Sequence, residues 1–218
     1  MIVMPANNTG VVLGWLAGRF PGRIGHLYSP GGMTRLYDWM PYSLDNGRFA
    51  VWSAGRTWDE AAWLGMLDRA AGSGIPPKWV LVPDSVGNRD ETLREWDRWC
   101  VRLQSYGWPL AIAVQDGMTQ DDIPSEAAVV FIGGTSEWKR RTMHEWCEGN
   151  ERVHVGRVNT DKWLWESHEA GAESCDGTGW FRGDQRQLAG LVTYLERSTA
   201  GFGSNLGGSL FERGSRRG

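Results

Sequence analysis

The sequence predicts an α/β protein, a compact single-domain β/α barrel of the TIM type, and three observations predict it. From residue 57 onward one unit recurs: a short apolar run, a polar or glycine-rich turn, then an amphipathic stretch with helical spacing, the pattern of β/α repeats. Eight apolar runs can be counted along the chain, which favours a closed barrel over an open doubly wound sheet. The downstream runs carry their polar residues at their C-terminal ends, the face on which such barrels build their sites.

In chain order, the first strand is MIVMP (1 to 5), followed by a short helix GVVLGWLAG (10 to 18). RIGHLYS (23 to 29) and MPYSLDN (40 to 46) supply two more strands, with a short helix GMTRLYDW (32 to 39) between them. TWDEAAWLGMLDRAA (57 to 71) is the first long helix, where Thr57 and Glu60 have the spacing of a capping box. WVLVPD (79 to 84) is the fourth strand, and NRDETLREWDRWCVRLQSYG (88 to 107) is a helix started by Asn88 with Glu91. PLAIAVQDG (109 to 117) and AAVVFIGG (127 to 134) are strands, and SEWKRRTMHEWCEG (136 to 149) is helical. RVHVGRV (152 to 158) precedes the helix NTDKWLWESHEAG (159 to 171), capped by Asn159 or Thr160. AESCDG (172 to 177) is the eighth strand and DQRQLAGLVTYLERS (184 to 198) the last helix. The barrel domain therefore spans 1–198. Residues 199–218 turn rich in Gly, Ser and Arg and read as a flexible tail, either without function or as a basic arm for a polyanion.

Composition bounds the function. At 218 residues, 41% hydrophobic and 22% charged, the chain has the makeup of a soluble globular protein. The first residues lack the basic start and long apolar run of a signal peptide, and GVVLGWLAG is too short and glycine-broken to span a bilayer, so a cytoplasmic protein is expected, without membrane association (host-cell cytoplasm if viral). Cys100, Cys147 and Cys175 lie far apart, signalling neither a disulfide framework nor structural zinc. Most of the fourteen tryptophans fall in helical contexts with apolar neighbours and read as packing residues. A net charge of −3 argues against uniform attraction to nucleic acid, so any such contact is local. Its candidates are Lys139, Arg140, Arg141, Arg157 and Arg182, although Lys139 to Arg141 read equally well as a solvated helix face.

If the strand ends share one barrel face, Asp45, Asp84, Gln115, Asp116, Gly133, Gly134, His154, Arg157 and Asp176 share one neighbourhood. Carboxylates repel phosphate and no GxxxxGK[ST] occurs, so a phosphate site is not indicated. The set suits a neutral heterocycle: Asp84, with Asp116 beside it, accepts from ring N–H groups, while Gln115 and the backbone amides of Gly133 and Gly134 donate to a ring carbonyl. Glycine at 133 and 134 would let the backbone approach a flat ring closely. Two carboxylates flanking a glycosidic bond are the equipment of glycosyl transfer, and Asp45 and Asp176 are the natural pair. The four histidines show no HxH or HExxH spacing, so neither a transition metal nor any cofactor is expected, with a weak Mg²⁺ site at Asp116 left open.

The order DNG-x-F (45 to 49), VPD (82 to 84), VQDG (114 to 117), IGG (132 to 134), HVG (154 to 156) and CDG (175 to 177) resembles the tRNA-guanine transglycosylase superfamily. Over roughly residues 40 to 198 it looks closest to the short, virus-encoded (bacteriophage) branch that exchanges guanine in DNA for a 7-deazaguanine. The resemblance implies a transferase in which Asp176 is the nucleophile, Asp45 the general acid/base, Asp84 and Gln115 the base readers, and Gly133 with Gly134 the glycines whose amides meet the base. It implies DNA and a free 7-deazaguanine, for example its nitrile form, as partners; Trp180 or Phe181 is expected to fill or stack in the space the base leaves. This sequence departs from the pattern at Asn46 and Arg48, and it lacks the cysteine-rich zinc subdomain that helps those enzymes hold tRNA. A hydrolytic glycosidase using the same acids and a non-catalytic nucleic-acid-binding barrel are the competing readings.

Overall fold

The computed structural model describes residues 1–204, the last six by backbone alone. Eight strands form one all-parallel sheet: β1 (Ile2–Pro5), β2 (His26–Tyr28), β3 (Tyr42–Leu44), β4 (Val80–Leu81), β5 (Leu110–Val114), β6 (Val129–Ile132), β7 (Val153–Val155) and β8 (Ser174–Gly177). Their order, β1-β8-β7-β6-β5-β4-β3-β2, is that of a barrel opened between β1 and β2. Two single parallel bridges, Val3 to Ile24 and Ala6 to Leu27, span that gap and nearly close the ring. Around it lie α1 (Val11–Arg19), α2 (Arg48–Ser53), α3 (Glu60–Gly72), α4 (Arg89–Gln104), α5 (Ser136–Gly149), α6 (Asp161–Glu169) and α7 (Gln185–Ser204). No helix among the described residues is long and apolar enough to cross a membrane.

The alternation of strand side chains divides the core into two layers. Met4, Leu81, Ala111, Ala113 and Val129 point into the barrel with Leu27 and Trp79, while their neighbours Val3, Val80, Ile112, Val130 and Cys175 pack outward under the helices. Alanines on β5 leave room for the Trp79 indole inside the ring. Most of the tryptophans expected to pack do so, Trp63, Trp96, Trp99, Trp138 and Trp146 among them.

Four local expectations are corrected. Residues 32–39 form no helix; the Tyr28 hydroxyl instead donates to the Arg35 carbonyl at 2.6 Å, drawing the segment into an irregular loop. A short helix not foreseen, α2, follows directly on β3, and it buries no residue, so no apolar periodicity announces it. Helix α3 starts three residues late, capped by Asp59, whose carboxylate accepts from the Ala62 amide at 2.9 Å, rather than by Thr57. Helix α7 runs on to Ser204, past the expected end at 198. The remainder of the expected basic tail, 205–218, lies outside the described residues. Asn88 and Thr160 cap α4 and α6 as expected.

Candidate active site

A cavity of about 530 Å³ opens at the C-terminal ends of the strands, and Asp45, Asp84, Gln115, Gly133, Gly134, Arg157, Asp176 and Arg182 line it. Strand parity explains the convergence of Gln115 and Asp176, whereas Asp84 turns in from beyond the end of β4. Ala111 and Ala113 face inward, so Gln115 two residues on continues the inward row; Ser174 and Asp176 do the same on β8.

The Asp84 carboxylate is held on both sides: Asn46 Nδ2 donates to Oδ1 and Gln115 Nε2 to Oδ2, each at 2.8 Å. Asn46 also donates to the Val82 carbonyl at 3.0 Å, and Gln115 Oε1 accepts from the Gly87 and Gly134 amides at 3.1 and 3.2 Å. Arg48 braces this network from behind, donating to the Asp84 carbonyl and pairing with buried Glu95 at 2.8 Å. Burial pushes the Asp84 carboxyl above its ordinary range, opposed by the Asn46 and Gln115 donors and the Arg48 charge. Each oxygen retains a lone pair for the cavity, and Gln115 Nε2 retains its second hydrogen.

Asp45 begins the turn into α2, accepting from the Gly47 amide at 3.1 Å. Gly47 takes the left-handed φ of 77° that this turn requires. Asp45 is partly accessible from the cavity yet withdrawn from bulk water. Desolvation, with smaller repulsions from Asp176 and Asp84, raises its pKa from 3.8 to about 7. That makes it a proton donor matched to neutral pH.

Asp176 is held from the opposite side of the ring opening. Its Oδ1 accepts from the Arg157 amide at 3.0 Å and lies 3.1 Å from His154 Nε2. His154 is fully buried, stacked on Phe131 and edged by Trp79, with Nδ1 2.8 Å from Ser174 Oγ. Ser174 donating to Nδ1 leaves the ring proton on Nε2, where it points at Asp176. The Arg157 backbone is left-handed, φ 59°, its guanidinium donating to the Gly134 carbonyl and lying 4.3 Å from the Phe49 ring centroid.

Several expected site residues have other duties. Asp116 does not line the cavity: one residue past the inward row, it turns to Thr135, accepting from its amide at 2.7 Å and its hydroxyl at 2.6 Å. The amides of Gly133 and Gly134 are not free to meet a ring, because they donate to the Val114 carbonyl and to Gln115. The glycines serve protein packing: a Cβ at 134 would lie 2.5 Å from Asp116 Oδ2 and 2.7 Å from Trp138, at a φ of 63°. Lys139 is 1% exposed and cannot contact a polyanion, whereas Arg140 and Arg141 face solvent, Arg140 stacked on Trp163. Trp180 is buried in the outer core, where the glycine at 177 leaves space for the Val158 carbonyl and for the edge of its ring, so it cannot stack in a vacated base site; Phe181 packs against the same core.

The structure adds lining residues not singled out from sequence: Asn7 and Ser29 at the β1–β2 seam, Phe49, Ala50 and Ser53 of α2, and Asn159. Asn159 Oδ1 accepts from the Thr178 and Gly179 amides at 2.9 and 3.0 Å, tying the turns after β7 and β8 together. Its visible signal was only that of a helix cap. Comparison of the chain with models of known protein families and with curated proteins returned no match.

Proposed function

We propose that this protein is a DNA base-exchange transglycosylase that replaces guanine with a 7-deazaguanine. The observation that carries the reading is the pairing in one cavity of two differently held carboxylates, Asp45 with a pKa raised to about 7 and Asp176 fixed by the Arg157 amide and His154, beside the Asp84–Gln115 hydrogen-bonding edge.

In the proposed reaction the target nucleotide enters unpaired, flipped or from a single strand, since an enzyme acting on a base takes it out of the stack. Asp84 accepts from the N–H groups of the guanine edge and the second Gln115 hydrogen meets its carbonyl. The Asp176 carboxylate then attacks C1′ as the C1′–N9 bond breaks; Asp45 gives its proton to the departing base, leaving the sugar as an aspartyl ester. Guanine leaves, and a free 7-deazaguanine enters. Its N9 attacks C1′, its proton passes to the Asp45 carboxylate, and Asp176 is released unchanged.

The two departures from the resembled motif have local uses consistent with this scheme, Asn46 orienting Asp84 and Arg48 bracing it from behind. The test is nucleoside analysis of DNA incubated with the protein and free 7-deazaguanine or its nitrile. Incorporated 7-deaza-2′-deoxyguanosine, or its nitrile form, with matching release of guanine is expected. Abasic sites formed without added base would replace this reading with a hydrolytic glycosidase, and DNA binding with unaltered nucleosides would reduce the protein to a binding barrel.

A further inference from the structure

We propose that Lys139 is a positioning residue for Asp176, acting through a single peptide group. Its ammonium donates to the carbonyl oxygen of Gly156, and the N–H of that same peptide, belonging to Arg157, donates to Asp176 Oδ1 at 3.0 Å. A cation bound at the oxygen of an amide polarises it toward its N–H, so the donor facing Asp176 is strengthened in the manner of a cooperative hydrogen-bond chain. The role rests on the reading of Asp176 as the nucleophile.

The burial of Lys139 argues that the arrangement is specific. It is 1% exposed and lies 4.9 Å from the Trp163 ring centroid, and Asp176 and Asp116 act on its charge without forming an ion pair with it among the described residues. A buried ammonium without a contacting carboxylate is costly, which makes the carbonyl it does contact the interaction that holds it there. The peptide it grips needs holding, because Arg157 adopts a left-handed backbone that a side-chain-bearing residue enters at a cost. The cavity-facing guanidinium of Arg157, stacked on Phe49, also depends on that turn.

The device is pH-dependent. Desolvation, aided by the Arg157 charge and opposed by Asp176 and Asp116, lowers the Lys139 pKa to about 7. Arg140, on the same helix, stacks on the same Trp163 ring and turns toward Glu166. Below about pH 7 the ammonium grips the peptide; above it the polarisation fades.

The Arg157 amide proton is the reporter. It should be followed by NMR against pH in the Asp45→Asn background, so that the proton of Asp45 makes no contribution. A chemical-shift step with a midpoint near pH 7 is expected, abolished by Lys139→Met and by Lys139→Gln. Gln keeps an uncharged donor and should preserve slow exchange of the amide. In the otherwise native protein, Lys139→Met should slow aspartyl-adduct formation by about tenfold, as expected from weakening one charge-assisted hydrogen bond, leave free-base affinity unchanged, and be rescued in part by Lys139→Arg. A step that survives both neutral substitutions, or adduct formation that Lys139→Met leaves unchanged, overturns the proposal. If Lys139→Met fails to fold, Lys139→Gln carries the same comparison. A Lys139-dependent step in a protein that forms no adduct would confirm the peptide coupling and remove the transglycosylase reading.

Discussion

Replacing Asp45 with asparagine should change how stability depends on pH, by an amount set by the site. The unfolded chain releases this proton near 3.8 and the folded protein near 7. Between those values the folded state binds more protons, so the native protein loses stability as pH rises from about 4 to about 7 and the loss levels off above that. A difference of about 3 units corresponds to about 4 kcal/mol. Water in the cavity, to which Asp45 is partly open, screens its charge and trims this to about 2 to 4 kcal/mol. Asparagine has no proton to lose, and its carbonyl can still accept from the Gly47 amide. Denaturant unfolding of both proteins at several pH values isolates the term, because other titrating groups largely cancel in the difference. The gap should move in favour of the Asn variant by about three quarters of that amount between pH 4.5 and 8, the rest falling below pH 4.5. Parallel stability curves would refute the desolvated-acid account and remove the basis for assigning Asp45 the proton transfer.

Three further outcomes follow from the same geometry. Asp84→Ala leaves the Asn46 and Gln115 donors facing a void, so stability should fall by about 1 to 3 kcal/mol per unpaired donor, and binding titrations should lose the preference for guanine over adenine; intact discrimination would make Asp84 purely structural. Neutralising Arg140, Arg141 and Arg182 together should reduce the salt dependence of single-strand binding by about 0.7 in slope per lost phosphate contact, and an unchanged slope would leave the cationic rim without support. Gly134→Ala forces a side chain into a left-handed backbone against Asp116 and Trp138, and thermal unfolding should show a loss of more than about 1 kcal/mol; a neutral outcome would mean the turn relaxes.

The strands were legible because their apolar runs are continuous and end in polar residues, and the shared cavity followed from their common direction. The segment at 32–39 was misread because its few apolar residues imitate a helical seam, while tertiary bonding from Tyr28 fixes it as a loop. The period-2 row through Ala111, Ala113 and Gln115 places Asp116 off the inward face, but the same count was no guide at Asp84: Leu81 faces inward and Val82 outward, and Asp84 reaches the cavity only because it lies three residues past the end of β4. Lys139 was hidden in a run of three basic residues. Its position was nonetheless readable, since 139, 143 and 146 fall on one helical stripe and the other two are Met and Trp. The role of Gly177 in admitting the Val158 carbonyl and Trp180 was not readable, because a glycine beside an acid gives no sign of which neighbours need its missing Cβ.

The central claim is that Asp176 carries the sugar. Protein incubated with a labelled single-stranded oligonucleotide containing guanine, quenched in denaturant and mapped by mass spectrometry of peptides, tests it directly. A deoxyribosyl-linked adduct on Asp176, absent in Asp176→Asn and discharged by free 7-deazaguanine, is the predicted result. An adduct on Asp45, or base exchange at the native rate by Asp176→Asn, would contradict it.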